Sequence, residues 1–346
     1  MGLLTASYVW DLESNLKLIA ENTYSEIFAK SWYQHVTKEQ ELKSKRQRFT
    51  WLLDSATIDY TDDRYGATVE FEELSSASHE VVYKSATKGF SLNYNQFTDL
   101  DGNGVDLASG WVRQQSELFA YWPQRQTAGL INNGTTILAF DGKPLFAVDH
   151  PNHIFDASAG VYANWFKGSA SGANPGALPI DESVTLDVAV ANLGKAIAQI
   201  ALVPTANGQM PRHLKAKKLI VPSKLMNRAT QVTDAKFIAM AAASGGGSAD
   251  VSGMISRWGL EVVEAPELSA AFGGFSDTTY FIVCEQAASS ELGAVIYGVK
   301  TPFSITYNDG VTDAQLSRSN SLQWITRGDN AVSPGMPYLI YRIDAS

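Results

Sequence analysis

One cysteine, five histidines and a shortage of positive charge set the first limits on this chain of 346 residues. A lone Cys284 forbids an internal disulfide and a cysteine-based zinc site. Within Tyr280-Phe281-Ile282-Val283-Cys284 it reads as a small buried core residue. No stretch approaches the roughly 20 apolar residues that span a bilayer. Met1–Trp10 also lacks the basic start and apolar core of a signal peptide. The expected setting is cytosol-like, with no membrane partner. The 27 Lys and Arg stand against 36 Asp and Glu, a net charge of −9. That is the wrong sign for a dedicated nucleic-acid binder.

Catalytic signatures are equally sparse. There is no GxSxG elbow, no GxGxxG after a strand and no kinase set. Ser244-Gly245-Gly246-Gly247-Ser248 lacks the Lys-Ser/Thr pair of a phosphate-binding loop and reads as a flexible connection. Glu72-Glu73 and Asp62-Asp63 fall in expected turns, where water solvates them. The best candidate site is Asp149-His150-Pro151-Asn152-His153. Two imidazoles and a carboxylate so close together suit a metal-dependent hydrolase built on His150, His153 and Asp149. Against this, Pro151 turns the backbone away from a helix, so the two imidazoles do not share a helical face as in HExxH. His35, His79 and His213 are isolated in sequence. The competing reading is a polar turn.

The chain is rich instead in apolar and aromatic residues, at 45% and 11%, enough for a large core and much contact surface. Its length suggests about two domains. Leu107, Trp111, Leu118 and Trp122 recur at helical spacing behind a capping Asp106. The pattern resumes through Ala128, Leu130 and Ile131 to a stop at Asn132-Asn133-Gly134. A helix over 106–131 would be about 40 Å long, with Pro123 expected to kink or end it. An amphipathic helix is expected from Leu12 to Tyr33. Asp181 or Ser183 should cap a helix reaching Leu202, and Ser223–Met240 should form another. Lys38–Arg48 mixes Lys and Arg with Glu39 and Glu41, a solvated or ion-paired face.

Alternation over 49–97 reads as β: Phe49, Trp51 and Leu53, then Ile58 and Tyr60, Val69 and Phe71, and Phe90, Leu92 and Tyr94. A lone hairpin is marginal in water, and no helix nearby in sequence covers this one. Residues 157–180 read as a loop or boundary. Strands are expected at 219–221, 260–263, 280–284, 294–299 and 303–307. Two more, 321–327 and 338–343, flank a turn at 331–335. Helices around a small sheet make an α+β chain, without internal repeats.

A long helix, a short break and then Phe140-Asp141-Gly142-Lys143-Pro144-Leu145-Phe146, followed by His150-Pro151-Asn152, resembles the Mu-like phage major head subunit family, the gpT type. The resemblance implies an HK97-type capsid fold. An N-arm would cover 1–46 and an E-loop hairpin 47–97. A P-domain, with the long helix as its spine, would cover 98–160 and 308–346, and an A-domain 161–307. It implies a non-enzymatic shell protein without cofactor or metal, assembling as pentamers and hexamers around double-stranded DNA. An acidic shell suits that role, because few phosphate contacts leave DNA free to slide. Further implied partners are a scaffold or protease protein, a portal and a decoration protein. The implied location is the virion, after assembly in the host cytoplasm. A start at Met1 suggests that the scaffold is a separate protein. Contacts between subunits are expected at Trp32, Tyr33, Trp51, Leu53, Ile58, Tyr60, Val69, Phe71, Val81 and Tyr83. The motif residues Asp141, Gly142, Leu145, Phe146, His150, Pro151 and Asn152 are expected to be structural. An encapsulin-like shell is the alternative within the same class.

Overall fold

The computed structural model describes residues 6–52, 76–93, 103–206, 210–234, 237–240, 247–250, 259–286, 292–307 and 321–346. Helix α1 spans Ala6–Ala29, and strands β1 (Thr37–Glu41), β2 (Arg46–Leu52), β3 (Ser76–Val82) and β4 (Lys84–Asn93) follow. Next comes α2 (Asn103–Asn132), then the short strands β5 (His150–Pro151), β6 (Val161–Tyr162) and β7 (Trp165–Phe166). Helix α3 (Leu186–Ala201), strand β8 (Leu214–Val221) and helix α4 (Ser223–Thr233) precede β9 (Phe237–Met240) and β10 (Gly247–Asp250). The remainder is β11 (Glu261–Glu264), β12 (Tyr280–Gln286), β13 (Val295–Tyr307), β14 (Ser321–Pro334) and β15 (Ile340–Ile343).

The long helix runs 30 residues and does not end at Pro123. Proline removes one backbone donor, but packing on both sides outweighs that loss. Ala108 and Val112 meet Leu16 and Ala20 of α1, and the same cluster takes in Ile305 and Trp324 of the sheet. Ala108 and Ala120 are fully buried, so neighbouring elements can approach the helix backbone closely. The helix thus has a partner inside its own chain, and so does the amphipathic face of α1. Asp106 does not cap the helix; it lies in the first turn.

Two sheets carry the body. The first has the order β1-β13-β14-β4, with β1 parallel to β13. Strand β13 is continuous where two strands were expected, and its register shifts between Val299 and Ser304. Pro302 lies there, at a break in the ladder that dispenses with its missing donor. Strand β14 pairs with β13 as far as Pro334, so 331–335 is not a free turn. The second sheet has the order β11-β8-β12-β15-β7. Strand β8, helix α4 and the parallel strand β11 make a crossover unit.

Sheet membership departs from the expected division at three places. Residues 37–41 of the expected N-arm and 295–307 join the sheet beside the long helix, and 340–343 join the other sheet. Helix α4 also ends at Thr233, because 237–240 pair with 247–250 as a ribbon, leaving Gly247 in a strand. Helix α3 begins after Thr185, while Asp181 instead accepts from Ser183 N in the preceding turn. Cys284 is buried as expected, and burial pushes its thiol up.

The stop after α2 is tight. Gly134 N donates to Ile131 O at 3.0 Å, and Gly134 O accepts from Phe146 N at 2.9 Å. A Cβ at Gly134 would stand 2.5 Å from the Phe146 ring. That ring is 1% exposed and has nowhere to go. Gly134→Ala is expected to lower stability by about 2 kcal/mol through overpacking, read as a lower urea midpoint at unchanged slope.

Candidate assembly interface

The expected contact residues separate into three groups. Leu53, Ile58, Tyr60, Val69 and Phe71 lie outside the described residues. Trp32, Tyr33 and Val81 are 3%, 1% and 1% exposed within the single chain, and all three belong to its main core. Trp32 Nε1 donates to Glu267 Oε2 at 2.8 Å, and the Tyr33 ring meets Tyr297 edge-on at 5.4 Å. Side chains so enclosed pack within their own subunit. Trp51 and Tyr83 are half-buried against the same core. Trp51 meets Phe140 edge-on at 4.9 Å. The base of the β2–β3 hairpin is therefore covered by its own chain, and His79 Nε2 ties it to Ser333 Oγ at 2.8 Å. What covers the base lies distant in sequence, which is why alternation alone left it bare.

The motif after α2 forms a buried polar knot. Asp141 Oδ1 accepts from Lys143 N at 3.1 Å, fixing a turn in which Gly142 takes a φ of 76°. Asp141 Oδ2 lies 2.6 Å from His150 Nδ1, with side-chain exposures of 2% and 0%. The imidazole stacks on Tyr162 at 5.2 Å, and its Nε2 has no partner among the described residues. Burial raises the Tyr162 hydroxyl well above its usual range. His150-Pro151 pairs with Val161-Tyr162, and Asn152 spans the next turn, its Nδ2 donating to Ala159 O at 2.7 Å. Leu145 and Phe146 are core, with Phe146 against Phe281.

The three hydrolase candidates do not converge. His150 is held by Asp141, Asp149 pairs with Lys143 at 2.5 Å, and His153 Nδ1 accepts from Phe155 N. Among the described residues no group of three potential metal ligands exists. The geometry thus gives no support to the metal-dependent hydrolase on Asp149, His150 and His153.

Two features escaped the sequence reading. Asn164, fully buried, donates through Nδ2 to Leu145 O, Pro337 O and Ile340 O, at 2.7, 3.0 and 3.3 Å. Its Oδ1 accepts from Ala147 N at 2.9 Å. Arg342 lies between Phe275 and Trp165, 3.5 and 4.8 Å from their ring centroids. Neither has a local signal, since Ile340 is 176 residues from Asn164 and the rings around Arg342 are likewise remote in sequence.

Residues 13–178 match the family model of the Mu-like prophage major head subunit gpT. No curated protein matches. Among solved structures, the capsid of cyanophage P-SCSP1u aligns at TM-score 0.55 and 14% identity, over 91% of this chain and 88% of that one. The mature capsid of bacteriophage PhiM1 aligns at TM-score 0.50 and 11% identity, over 91% and 86%. The bacteriophage JBD30 capsid aligns at TM-score 0.47 and 8% identity over 90% of this chain, which spans 64% of that one. The fold is the HK97-like fold of phage capsid proteins.

Proposed function

We propose that this chain, whose residues 13–178 match the Mu-like gpT family of major head subunits, is such a subunit and builds an icosahedral head as pentamers and hexamers of itself. The family match carries the reading, and it favours a phage head over an encapsulin-like shell. Rings of identical subunits need heterologous interfaces that close by rotation. Such a subunit is structural and needs no active site.

The domain division belongs to this proposal in adjusted form. The N-arm (1–46) and E-loop (47–97) remain. The P-domain gains residues 295–307, and the A-domain gains residues 340–343, following the two sheets. Leu53, Ile58, Tyr60, Val69 and Phe71 are the proposed contacts to the next copy, with Trp51 and Tyr83 at the root of the same hairpin. A scaffold or protease protein, a portal and a decoration protein are the proposed further partners. Packaged double-stranded DNA is touched weakly, in keeping with the net charge of −9. Assembly would take place in the host cytoplasm.

Produced together with the neighbouring head genes, the full chain is expected to sediment as closed particles of uniform diameter in electron micrographs. A subunit that stays monomeric at high concentration in that setting overturns the reading.

A further inference from the structure

The connection between β11 and β12 carries Phe272 and Phe275 among small neutral residues, Ser269-Ala270-Ala271 before them and Gly273-Gly274 between them. Phe272 is 72% exposed, the highest value for a large apolar side chain among the described residues. A bare phenylalanine on a loose loop would mean little, but this loop is pinned. Asp277 Oδ1 accepts from Ala270 N at 3.0 Å and from Ser269 Oγ at 2.5 Å. Its Oδ2 takes Lys224 Nζ at 2.5 Å. Lys224 first, and then Ser269, hold that carboxyl down at about 2. Gly274 N closes the turn on Ser269 O at 3.0 Å.

Phe275 is pinned as well. It covers the Arg342 guanidinium, whose other side faces Trp165, and Lys167 Nζ sits 3.4 Å from the centroid of the Trp165 ring. Asp344 holds Arg342 at 2.9 and 3.2 Å. The loop is thus closed on itself through Asp277 and tied to α4 through Lys224, and its second aromatic is fastened to the five-stranded sheet through Arg342. Of the two aromatics, Phe272 is the one left bare, its backbone N held on Ser269 O at 3.0 Å. An aromatic held this way loses little freedom on contact, and such anchors dominate the energetics of interfaces.

We propose that Phe272 seats in a second copy of this chain, as the apolar tip of a contact between adjacent subunits; the inference rests on the head-subunit reading. No charged residue stands between Glu267 and Asp277, so the tip offers nothing to a phosphate or an acidic lipid headgroup. One phenylalanine covers on the order of 200 Å², far below the roughly 1,200 Å² of an independent interface. It is useful only inside a contact that supplies the remaining area. A closed ring of like subunits provides one, with a protrusion on one face and its socket on another.

The test is Phe272→Asp in the full chain, produced with the neighbouring head genes beside the unaltered chain. The variant should stay soluble, with unchanged far-UV circular dichroism and melting temperature. Particle yield should drop at least about tenfold, and Phe272→Leu should restore it. Equal particle yield from Phe272→Asp overturns the inference while leaving the head-subunit reading intact. Failure of the unaltered chain to form particles overturns both. A photo-crosslinking amino acid at position 272 should join subunit to subunit in purified particles. A crosslink confined to one chain would also overturn the inference.

Discussion

Asn164→Leu is expected to leave almost no soluble subunit. The substitution keeps the approximate volume and removes every polar contact of the side chain. Leu145 O, Pro337 O and Ile340 O lose their donor, and Ala147 N loses its acceptor. The site is fully enclosed, so water cannot replace the lost partners. Buried groups stranded this way cost about 1–3 kcal/mol each, and partial relaxation leaves a net loss of about 4 kcal/mol. That is a large share of the stability of an ordinary domain. The measurement is the soluble fraction after expression at two temperatures, followed by urea unfolding of whatever is recovered. Asn164→Asp tests the direction of the bonds. It keeps the acceptor for Ala147 N but faces three carbonyls with a carboxylate, so it should do no better than leucine. A soluble subunit with an unshifted urea midpoint would show that these three segments are held by something else.

Asp141→Ala is the second large effect. It strips His150 Nδ1 of its partner and leaves Lys143 N without its acceptor, in a site where His150 Nε2 already has none. Breaking one side of an enclosed pair should cost about 3 kcal/mol. Removing both sides should cost less than the sum of the two single changes, because no stranded polar ring remains. The double variant Asp141→Leu with His150→Phe preserves the stack on Tyr162 and replaces the pair by carbon. A cycle of urea midpoints over the two singles and the double measures the coupling. Strict additivity would mean that the 2.6 Å contact contributes nothing. The cycle also bears on the motif itself. If the knot is purely architectural, the double variant should assemble as the unaltered chain does.

Much of the fold could be read in the sequence because its signals are local. The 3.6-residue spacing from Leu107 to Ile131 located α2 to within a few residues at its start and one at its end. The apolar run Tyr280–Cys284 located β12, and Leu219-Ile220-Val221 marked the enclosed end of β8. Pro123 misled in a familiar way: a local penalty was outweighed by packing that no local pattern reveals. Strand partnership was not legible. Nothing in Thr37–Glu41, whose burial alternates weakly, announces a parallel pairing with Val295–Val299. The same holds for the interface. Trp32, Tyr33 and Val81 look like contact residues when the sequence alone supplies no cover for them, yet the cover comes from Glu267, Tyr297 and the rest of the core. Phe272 sits in a stretch of alanine and glycine that resembles an ordinary connection. Its importance emerges only once Asp277, Lys224 and Arg342 are seen to fix that stretch.

The parallel pairing of β1 with β13 has a consequence for timing. Strands β1 and β4 leave the ribosome early, yet each depends on a partner drawn from residues 295–334. Joining segments so far apart in sequence is slow, and it must wait until the late segment exists. A nascent chain therefore holds its first sheet unfinished until residues 295–334 have been made. If the proposed head-subunit reading holds, a chain cannot enlist its neighbours before that sheet closes, and growth of the shell draws on folded molecules alone.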